Sequence, residues 1–199
     1  MDFFRRAAGQ PAALGVMPGT FNPVTVAHIA LAQSALHLVD EVVFVLPRVL
    51  PHKEWSGASF DDRAALLMDA LAGQKGFSIA RAEGGLFIEI AEECRAAYSP
   101  DVQLSFLCGA DAAERIANWD YGDPAAFERM LSQFDLLVAE RPGGVLPARC
   151  RQLPLDPAYR AISATEVRES IARGGEWEHL VPPSIHGRVR RIYGATGRR

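Results

Sequence analysis

Residues Leu14 to His28, near the start of the chain, read LGVMPGTFNPVTVAH and contain the first predicted strand, turn and helix. The first of these residues form an apolar run over Leu14–Met17 that predicts a short buried strand, and Pro18-Gly19 ends it. Asn22-Pro23 is a favourable pair for a turn and for helix entry, so a helix is expected to begin near Thr25. This strand, turn and helix make a βα unit, from which open α/β sheets are assembled.

The rest of the chain continues the same alternation of strands and helices. Further strands are predicted at residues 41–46, 77–80, 103–108 and 135–139, with a last edge strand at 158–162. Helices are predicted at residues 25–38, 61–72, 87–98, 127–132, 163–173 and 184–193, with another helical stretch ending near residue 118. The alternation predicts an α/β fold, a Rossmann-like doubly wound parallel sheet with helices on both faces. One domain is expected over residues 1–199, with a loose leader at 1–12 and a small helical C-terminal appendage at 174–199.

Composition and charge argue against several classes of protein. Apolar residues make up 49% of the 199 residues, and the net charge is −3. Neither nucleic-acid nor membrane binding is therefore expected, and no apolar stretch approaches membrane-spanning length. The three cysteines, Cys94, Cys108 and Cys150, are widely spaced and form no metal-binding motif. We expect Cys94 and Cys108 to be small buried hydrophobes in a reduced, cytoplasmic protein.

Two predicted helix N-termini carry side chains that suit an anionic ligand. Thr25 and His28 lie three residues apart, so a hydroxyl and an imidazole share one side of the first helical turn. Ser163 is a good N-cap for the late helix, in which Thr165 and Arg168 are likewise three residues apart. Unpaired backbone N–H groups at both helix ends add to these side chains. The two corners predict a polyphosphate bound across the carboxyl edge of the sheet.

Two further segments are predicted to lie at the same edge. The basic pair His52-Lys53 belongs to a long loop after the second strand, and Gly109-Ala110-Asp111 follows another buried strand. Neither corner is a Walker A loop or a GxGxxG fingerprint, and no GxSxG elbow is present. The pattern therefore indicates phosphate binding by helix ends and charged side chains.

Two separated motifs resemble the signatures of the nucleotidylyltransferase superfamily. Gly19–His28 resembles the [H/T]xGH signature, with Ala27 in place of its glycine. Ile162–Arg168, which reads ISATEVR, resembles the second signature, ISSTxxR. The motifs occur in the expected order and near opposite ends of one predicted α/β domain.

Three more segments resemble bacterial nicotinate mononucleotide adenylyltransferases within that superfamily. They are Leu50-Pro51-His52-Lys53, Gly109-Ala110-Asp111 with Trp119 after it, and Glu140-Arg141-Pro142-Gly143. Two positions depart from the subfamily pattern. Thr25 stands where histidine is usual, and Leu86-Phe87 replaces a tyrosine-threonine pair near the pyridine site.

The resemblance implies adenylyl transfer, in which a mononucleotide 5′-phosphate attacks the α-phosphorus of ATP in line and pyrophosphate leaves. Such a reaction needs alignment and charge stabilisation and no protein nucleophile. The implied catalytic residues are His28, Thr25, Lys53 and Arg168. The implied ATP-binding residues are Gly19, Thr20, Phe21, His28, Gly109, Asp111, Ile162, Ser163, Thr165 and Arg168. The implied acceptor-binding residues are Asn22, His52, Lys53, Phe87, Trp119 and Arg141.

The resemblance also implies a role for each kind of side chain. His28 would hydrogen-bond the α-phosphate, Arg168 would hold the departing phosphates, and Lys53 would bridge the two substrates. Asp111 would bind a ribose or help to position Mg²⁺, and Trp119 would stack on the acceptor ring. No metal site built by the protein alone is implied, so Mg²⁺ is expected as the companion of ATP.

Several alternatives stay open at this stage. The acceptor could be nicotinamide mononucleotide or phosphopantetheine, and CTP could replace ATP as the donor. A nucleotide-binding regulator without turnover is a different class of protein. Intact His28 and Arg168 count against that class, whereas Ala27 and Leu86-Phe87 leave it open. The expected partners are ATP and a phosphate-bearing small-molecule acceptor. A homo-oligomer is a possible quaternary structure.

Overall fold

A computed structural model describes residues 1–50, 57–118, 125–139 and 150–194, with the side chain of Asp111 outside the description. Within these residues the strands of one sheet are β1 Asp2–Arg5, β2 Ala13–Pro18, β3 Glu41–Pro47, β4 Phe77–Ala82, β5 Gln103–Gly109, β6 Asp135–Ala139 and β7 Arg151–Leu153. They lie side by side in the order β1-β4-β3-β2-β5-β6-β7. Neighbouring strands are parallel except β1, which pairs antiparallel with β4.

Helices cover both faces of this sheet. They are α1 Val26–Ala35, α2 Phe60–Ala70, α3 Phe87–Ala97, α4 Ala110–Ala117, α5 Ala126–Leu131, α6 Ala164–Ala172 and α7 His186–Gly194, with 3-10 turns at Pro157–Tyr159, Glu178–Leu180 and Pro183–Ile185. Successive residues of β3 alternate between two hydrophobic clusters: Phe44 and Leu46 belong to one, Val43 and Val45 to the other. Because both faces are apolar, β3 is buried along its whole length, as expected of a central parallel strand. The predicted doubly wound sheet is confirmed, with one antiparallel edge strand.

The order of the strands reverses between β2 and β5. From β2 the chain proceeds through β3 to β4 on one side, and then returns to place β5 on the other side of β2. Ligands of open α/β sheets bind beyond the carboxyl ends of the strands at such a switch point. The pairing of Val16 with Phe106, continued to the strand ends, brings Gly19 and Gly109 level with each other.

The prediction of a loose leader at residues 1–12 was wrong for its first part, because Asp2–Arg5 form β1. Phe3 packs edge-on against Tyr98, with ring centroids 5.5 Å apart. The guanidinium of Arg5 donates to the backbone carbonyl oxygens of Leu71 and Gln74. The partners of this strand are distant in sequence, so no local periodicity reveals it.

The last edge strand predicted at residues 158–162 was also wrong. The chain forms a 3-10 turn at Pro157–Tyr159, while the edge strand is Arg151–Leu153. The reason is local: the Asp156 side chain accepts a hydrogen bond from the Ala158 N–H at 2.9 Å, and Pro157 suits the first position of a helical turn.

The C-terminal segment contributes to the main core. Its residues Ile185, Val189 and Tyr193 are buried in the same hydrophobic cluster as Phe44 and Leu46. The helix predicted at 184–193 begins instead at His186, after the 3-10 turn. The segment predicted as an appendage therefore packs against the helices on one face of the sheet.

The predicted burial of two cysteines is confirmed. Cys94 and Cys108 are free thiols that are 0% and 8% exposed. Burial raises the pKa of each to about 12, because a thiolate is poorly solvated among apolar side chains. Both residues therefore act as small apolar side chains of the core.

Candidate functional site

The turn after β2 forms the centre of the candidate site. Gly19 continues the edge of β2 by donating its N–H to the carbonyl oxygen of Val45 at 3.0 Å. Phe21 has a φ of 45°, unusual for a residue with a side chain, and is only 1% exposed. Its ring lies 5.6 Å from that of Phe44 and 5.3 Å from that of His28. The buried Phe21 ring therefore anchors the turn and packs edge-on against the ring of His28.

His28 is oriented by a reciprocal cap at the start of α1. The Thr25 N–H donates to His28 Nδ1 at 3.1 Å, and the His28 N–H is 3.4 Å from Thr25 Oγ1. The hydroxyl oxygen also lies 2.7 Å from Nδ1. Because Nδ1 accepts a backbone N–H, it carries a lone pair, and the proton of the neutral ring resides on Nε2. The cap thus presents Nε2–H as a hydrogen-bond donor on the side of the ring away from Thr25.

The start of α6 joins the same turn through Arg168. Ser163 caps the helix by accepting the Glu166 N–H at 3.1 Å. Arg168 Nη1 donates to the backbone oxygen of Asn22 at 2.6 Å, and Nη2 donates to Thr165 Oγ1 at 3.2 Å. These contacts place the second motif beside the first, although 146 positions separate Arg168 from Asn22.

Two residues that support the turn were missed by the sequence analysis. Arg63 is only 4% exposed and donates from Nη1 to the backbone oxygen of Thr20 at 2.8 Å. Burial lowers the pKa of this guanidinium, which still holds its proton. Tyr193 donates its hydroxyl to Asn22 Oδ1 at 2.7 Å. Nothing in their neighbouring residues distinguishes these two side chains from ordinary helix positions.

Several predicted ligands turn out to have buried side chains. Thr25 is 0% exposed and Asn22 is 4% exposed, and both use their side-chain oxygens within the protein. Phe21 is buried as well, so only its backbone could reach a ligand. Phe87 stacks on Phe106 with ring centroids 4.5 Å apart. The structure therefore gives Thr25, Asn22 and Phe21 the geometry of supports for the turn.

The predicted residues around β5 are only partly described. Gly109 is the N-cap residue of α4, without a side-chain cap, and a methyl group added to it would meet no described atom within 4 Å. Open space above a glycine at the switch point is compatible with a bound ligand. Ile162 is half-buried just before the cap of α6. His52, Lys53, Trp119, Arg141 and the side chain of Asp111 lie outside the described residues.

Gly57 packs against the turn after β2, where its Cα lies close to the side chain of Asn22. Gly57→Ala is therefore expected to lower the free energy of unfolding by about 3 kcal/mol or more. Its φ is +131°, and an added Cβ would lie 2.2 Å from Asn22 Nδ2. The matched control is Gly9→Ala, since Gly9 has a φ of +107° with nothing within 4 Å. Urea unfolding of both variants separates the contact with Asn22 from backbone strain. Equal losses in the two variants would show that the contact contributes nothing.

Comparison with known proteins identifies the class to which this site belongs. A sequence model described as cytidylyltransferase-like matches residues 16–170. The chain belongs to this family of nucleotidyltransferases. The match includes the turn after β2, His28 and Arg168, which are the elements that the structure brings together.

Individual relatives extend over nearly the whole chain. A protein of Solibacter usitatus is 33% identical over 86% of this chain and 93% of its own length. A protein of Rubrobacter xylanophilus is 30% identical over 94% of both chains. Both carry the name "probable nicotinate-nucleotide adenylyltransferase".

The fold itself matches that of a solved enzyme. Nicotinic acid mononucleotide adenylyltransferase of Plasmodium falciparum, complexed with NaAD, superposes with a TM-score of 0.69. The match covers 90% of this chain and 95% of the other, at 16% sequence identity. At that identity the likeness establishes the fold alone.

In the described part of the chain, no helix is long and apolar enough to cross a membrane.

Proposed function

We propose that the protein transfers AMP from ATP to the 5′-phosphate of nicotinate mononucleotide and releases pyrophosphate. The observation that carries the proposal is the junction of two helix N-termini at one turn, through the 2.6 Å bond from Arg168 to Asn22. The names of the relatives, which align over most of their length, support the choice of acceptor. A cytoplasmic location and a homo-oligomer belong to the proposal as well.

His28 would act on the phosphorus under attack. In the proposed step the acceptor phosphate forms a bond to the α-phosphorus while the bond to the bridging oxygen of pyrophosphate breaks. Negative charge increases on the non-bridging oxygens, and the Nε2–H of His28 would donate to one of them. Thr25, which contacts Nδ1 at the edge of the ring, would hold it in the donating orientation.

Arg168 would bind the departing pyrophosphate. Nη1 donates to two backbone oxygens, those of Asn22 and Ala164, and Nη2 donates once to Thr165. Nε–H and the second Nη2 hydrogen are then available to an anion, in the geometry that suits phosphate oxygens. Backbone N–H groups at the start of α6 would add a second set of donors.

Mg²⁺ enters the proposal with ATP. Among the residues that the structure describes, no three His, Cys, Asp or Glu side chains cluster as a metal site. Mg²⁺ is commonly held by substrate phosphates together with one or two carboxylates, and here the triphosphate of ATP would supply the phosphate oxygens. The ion would neutralise charge on the phosphate groups, and Asp111 is the predicted protein contribution.

The decisive experiment offers purified protein ATP and Mg²⁺ with one acceptor at a time and follows pyrophosphate release. The acceptors are nicotinate mononucleotide, nicotinamide mononucleotide and phosphopantetheine, and a parallel set replaces ATP by CTP. Release with ATP and nicotinate mononucleotide, at least tenfold faster than with any other pair, is the expected result. Faster release with another pair would replace the proposed substrates, and no release with any pair would favour a nucleotide-binding regulator.

A further inference from the structure

Tyr193 connects the C-terminal helix to the candidate site. It lies in the last turn of α7 and is 8% exposed, and its hydroxyl donates to Asn22 Oδ1 at 2.7 Å. The family model matches residues 16–170, so this tyrosine lies beyond the segment that the model matches. The two bonded residues are 171 positions apart in sequence.

Among the described residues, Asn22 accepts hydrogen bonds from the segment before α2, from α6 and from α7. Its Oδ1 accepts the Ala58 N–H at 3.3 Å in addition to the Tyr193 hydroxyl, and its backbone oxygen accepts Arg168 Nη1 at 2.6 Å. The side chain is thus held from α7 and from the segment before α2. The backbone of the same residue holds the guanidinium that reaches from α6.

We propose that Tyr193 is a positioning residue for nucleotide binding. Its hydroxyl holds the side-chain amide of Asn22, so that the backbone carbonyl of Asn22 orients Arg168. The inference rests on the proposed function, since it assigns Arg168 to the phosphates of the nucleotide. Tyr193 itself need not contact a substrate. Its contribution lies in removing alternative orientations of the Asn22 amide and, through the backbone, of the guanidinium.

The surroundings of Tyr193 suit this role. Its helix contacts α2 through an ion pair between Arg188 and Asp69 at 2.8 Å, and Val189 of the same helix is fully buried. Burial raises the pKa of the Tyr193 phenol, so the hydroxyl stays protonated and remains a donor at neutral pH. Because the ring packs in the hydrophobic core, Tyr193→Phe keeps the packing and removes the hydroxyl that donates to Asn22.

Tyr98→Phe provides a matched control. The Tyr98 hydroxyl is also buried and donates to a side-chain oxygen, that of Glu41 at the amino end of β3. This end of the strand lies opposite the carboxyl edge that carries the turn after β2. Both variants therefore lose one buried hydroxyl, and only one of them loses it at the site.

The test measures binding of a non-hydrolysable ATP analogue by calorimetry, together with thermal unfolding and steady-state kinetics. Both variants are expected to unfold a few degrees below the wild type. Only Tyr193→Phe should weaken analogue binding, by about fivefold, and raise the KM for ATP, because one oriented hydrogen bond contributes about 1 kcal/mol. Wild-type affinity in Tyr193→Phe, or equal weakening in Tyr98→Phe, would overturn the role.

A double-variant cycle tests whether Tyr193 acts through Asn22. The Asn22→Ala and Tyr193→Phe changes combined should weaken analogue binding no more than Asn22→Ala alone. Additive effects would show that Tyr193 acts by another route and would overturn the inference. Analogue binding needs no acceptor and no turnover, so the inference can hold even where the proposed acceptor or reaction is wrong.

Discussion

Replacement of His28 by alanine is expected to lower kcat by about 10²- to 10³-fold, the usual loss when one donor to a developing oxyanion is removed. The Thr25 N–H donates to Nδ1 at 3.1 Å, so the proposed donor, Nε2–H, would point to a ligand in a fixed direction. A donor oriented in advance stabilises the transition state without reorganising at the moment of reaction. The measurement is the initial rate of pyrophosphate release at saturating ATP and nicotinate mononucleotide.

The His28 variant needs a control for stability, because the ring also caps α1. Loss of the cap is expected to reduce the free energy of unfolding by about 1 kcal/mol, which leaves the protein folded at assay temperature. His37→Ala is the matched control, since His37 is exposed just after the same helix. Thermal unfolding should differ little between the variants, whereas only His28→Ala should lose turnover. More than a tenth of wild-type kcat in His28→Ala would contradict the proposed role.

Arg168→Lys is expected to reduce kcat/KM for ATP by about 10²-fold, although the positive charge is retained. The guanidinium binds the Asn22 carbonyl at 2.6 Å and Thr165 at 3.2 Å while it still presents N–H groups to an anion. A lysine ammonium is a single compact donor group and cannot bridge the turn and the phosphates in the same way. Loss of a charged hydrogen bond is worth about 1.5–3 kcal/mol, which corresponds to the expected factor.

The matched control for Arg168 lies just beyond the end of the same helix. Arg173 follows α6 and its side chain is exposed beside Glu169, so Arg173→Lys makes the same chemical change away from the site. Steady-state kinetics with ATP as the varied substrate and thermal unfolding are measured for both variants. An Arg168→Lys enzyme whose kcat/KM for ATP equals that of Arg173→Lys would remove Arg168 from the nucleotide site.

The local chemistry of the site could be predicted because each helix start is encoded within a few residues. Thr25 and Ser163 are short polar side chains at the positions where a cap is needed, and both accept the N–H three residues later. The strand that precedes Thr25 is apolar on both faces, which indicates a central parallel strand. The two capped helix starts and the doubly wound parallel sheet could therefore be predicted from the order of residues alone.

The supports of the site could not be predicted in that way. Arg63 lies in an ordinary amphipathic helix and Tyr193 in a basic one, and neither has a neighbour in sequence that reveals its partner. The antiparallel strand β1 was missed for the same reason, since its pairing partners lie in β4. Side chains such as Asn22 and Thr25 were predicted to meet ligands, whereas packing buries them beneath the turn.

Short-range patterns were enough to predict two helix N-termini, one with a histidine and one with an arginine, at one edge of a parallel sheet, because capping residues and apolar runs act over a few neighbouring positions. The bond from Arg168 to the Asn22 backbone carbonyl, across 146 positions, and that from Tyr193 to the Asn22 amide, across 171, became visible in the folded chain. Contacts of that span depend on how the helices pack over the sheet. Packing is a property of many residues at once, so no short motif contains it.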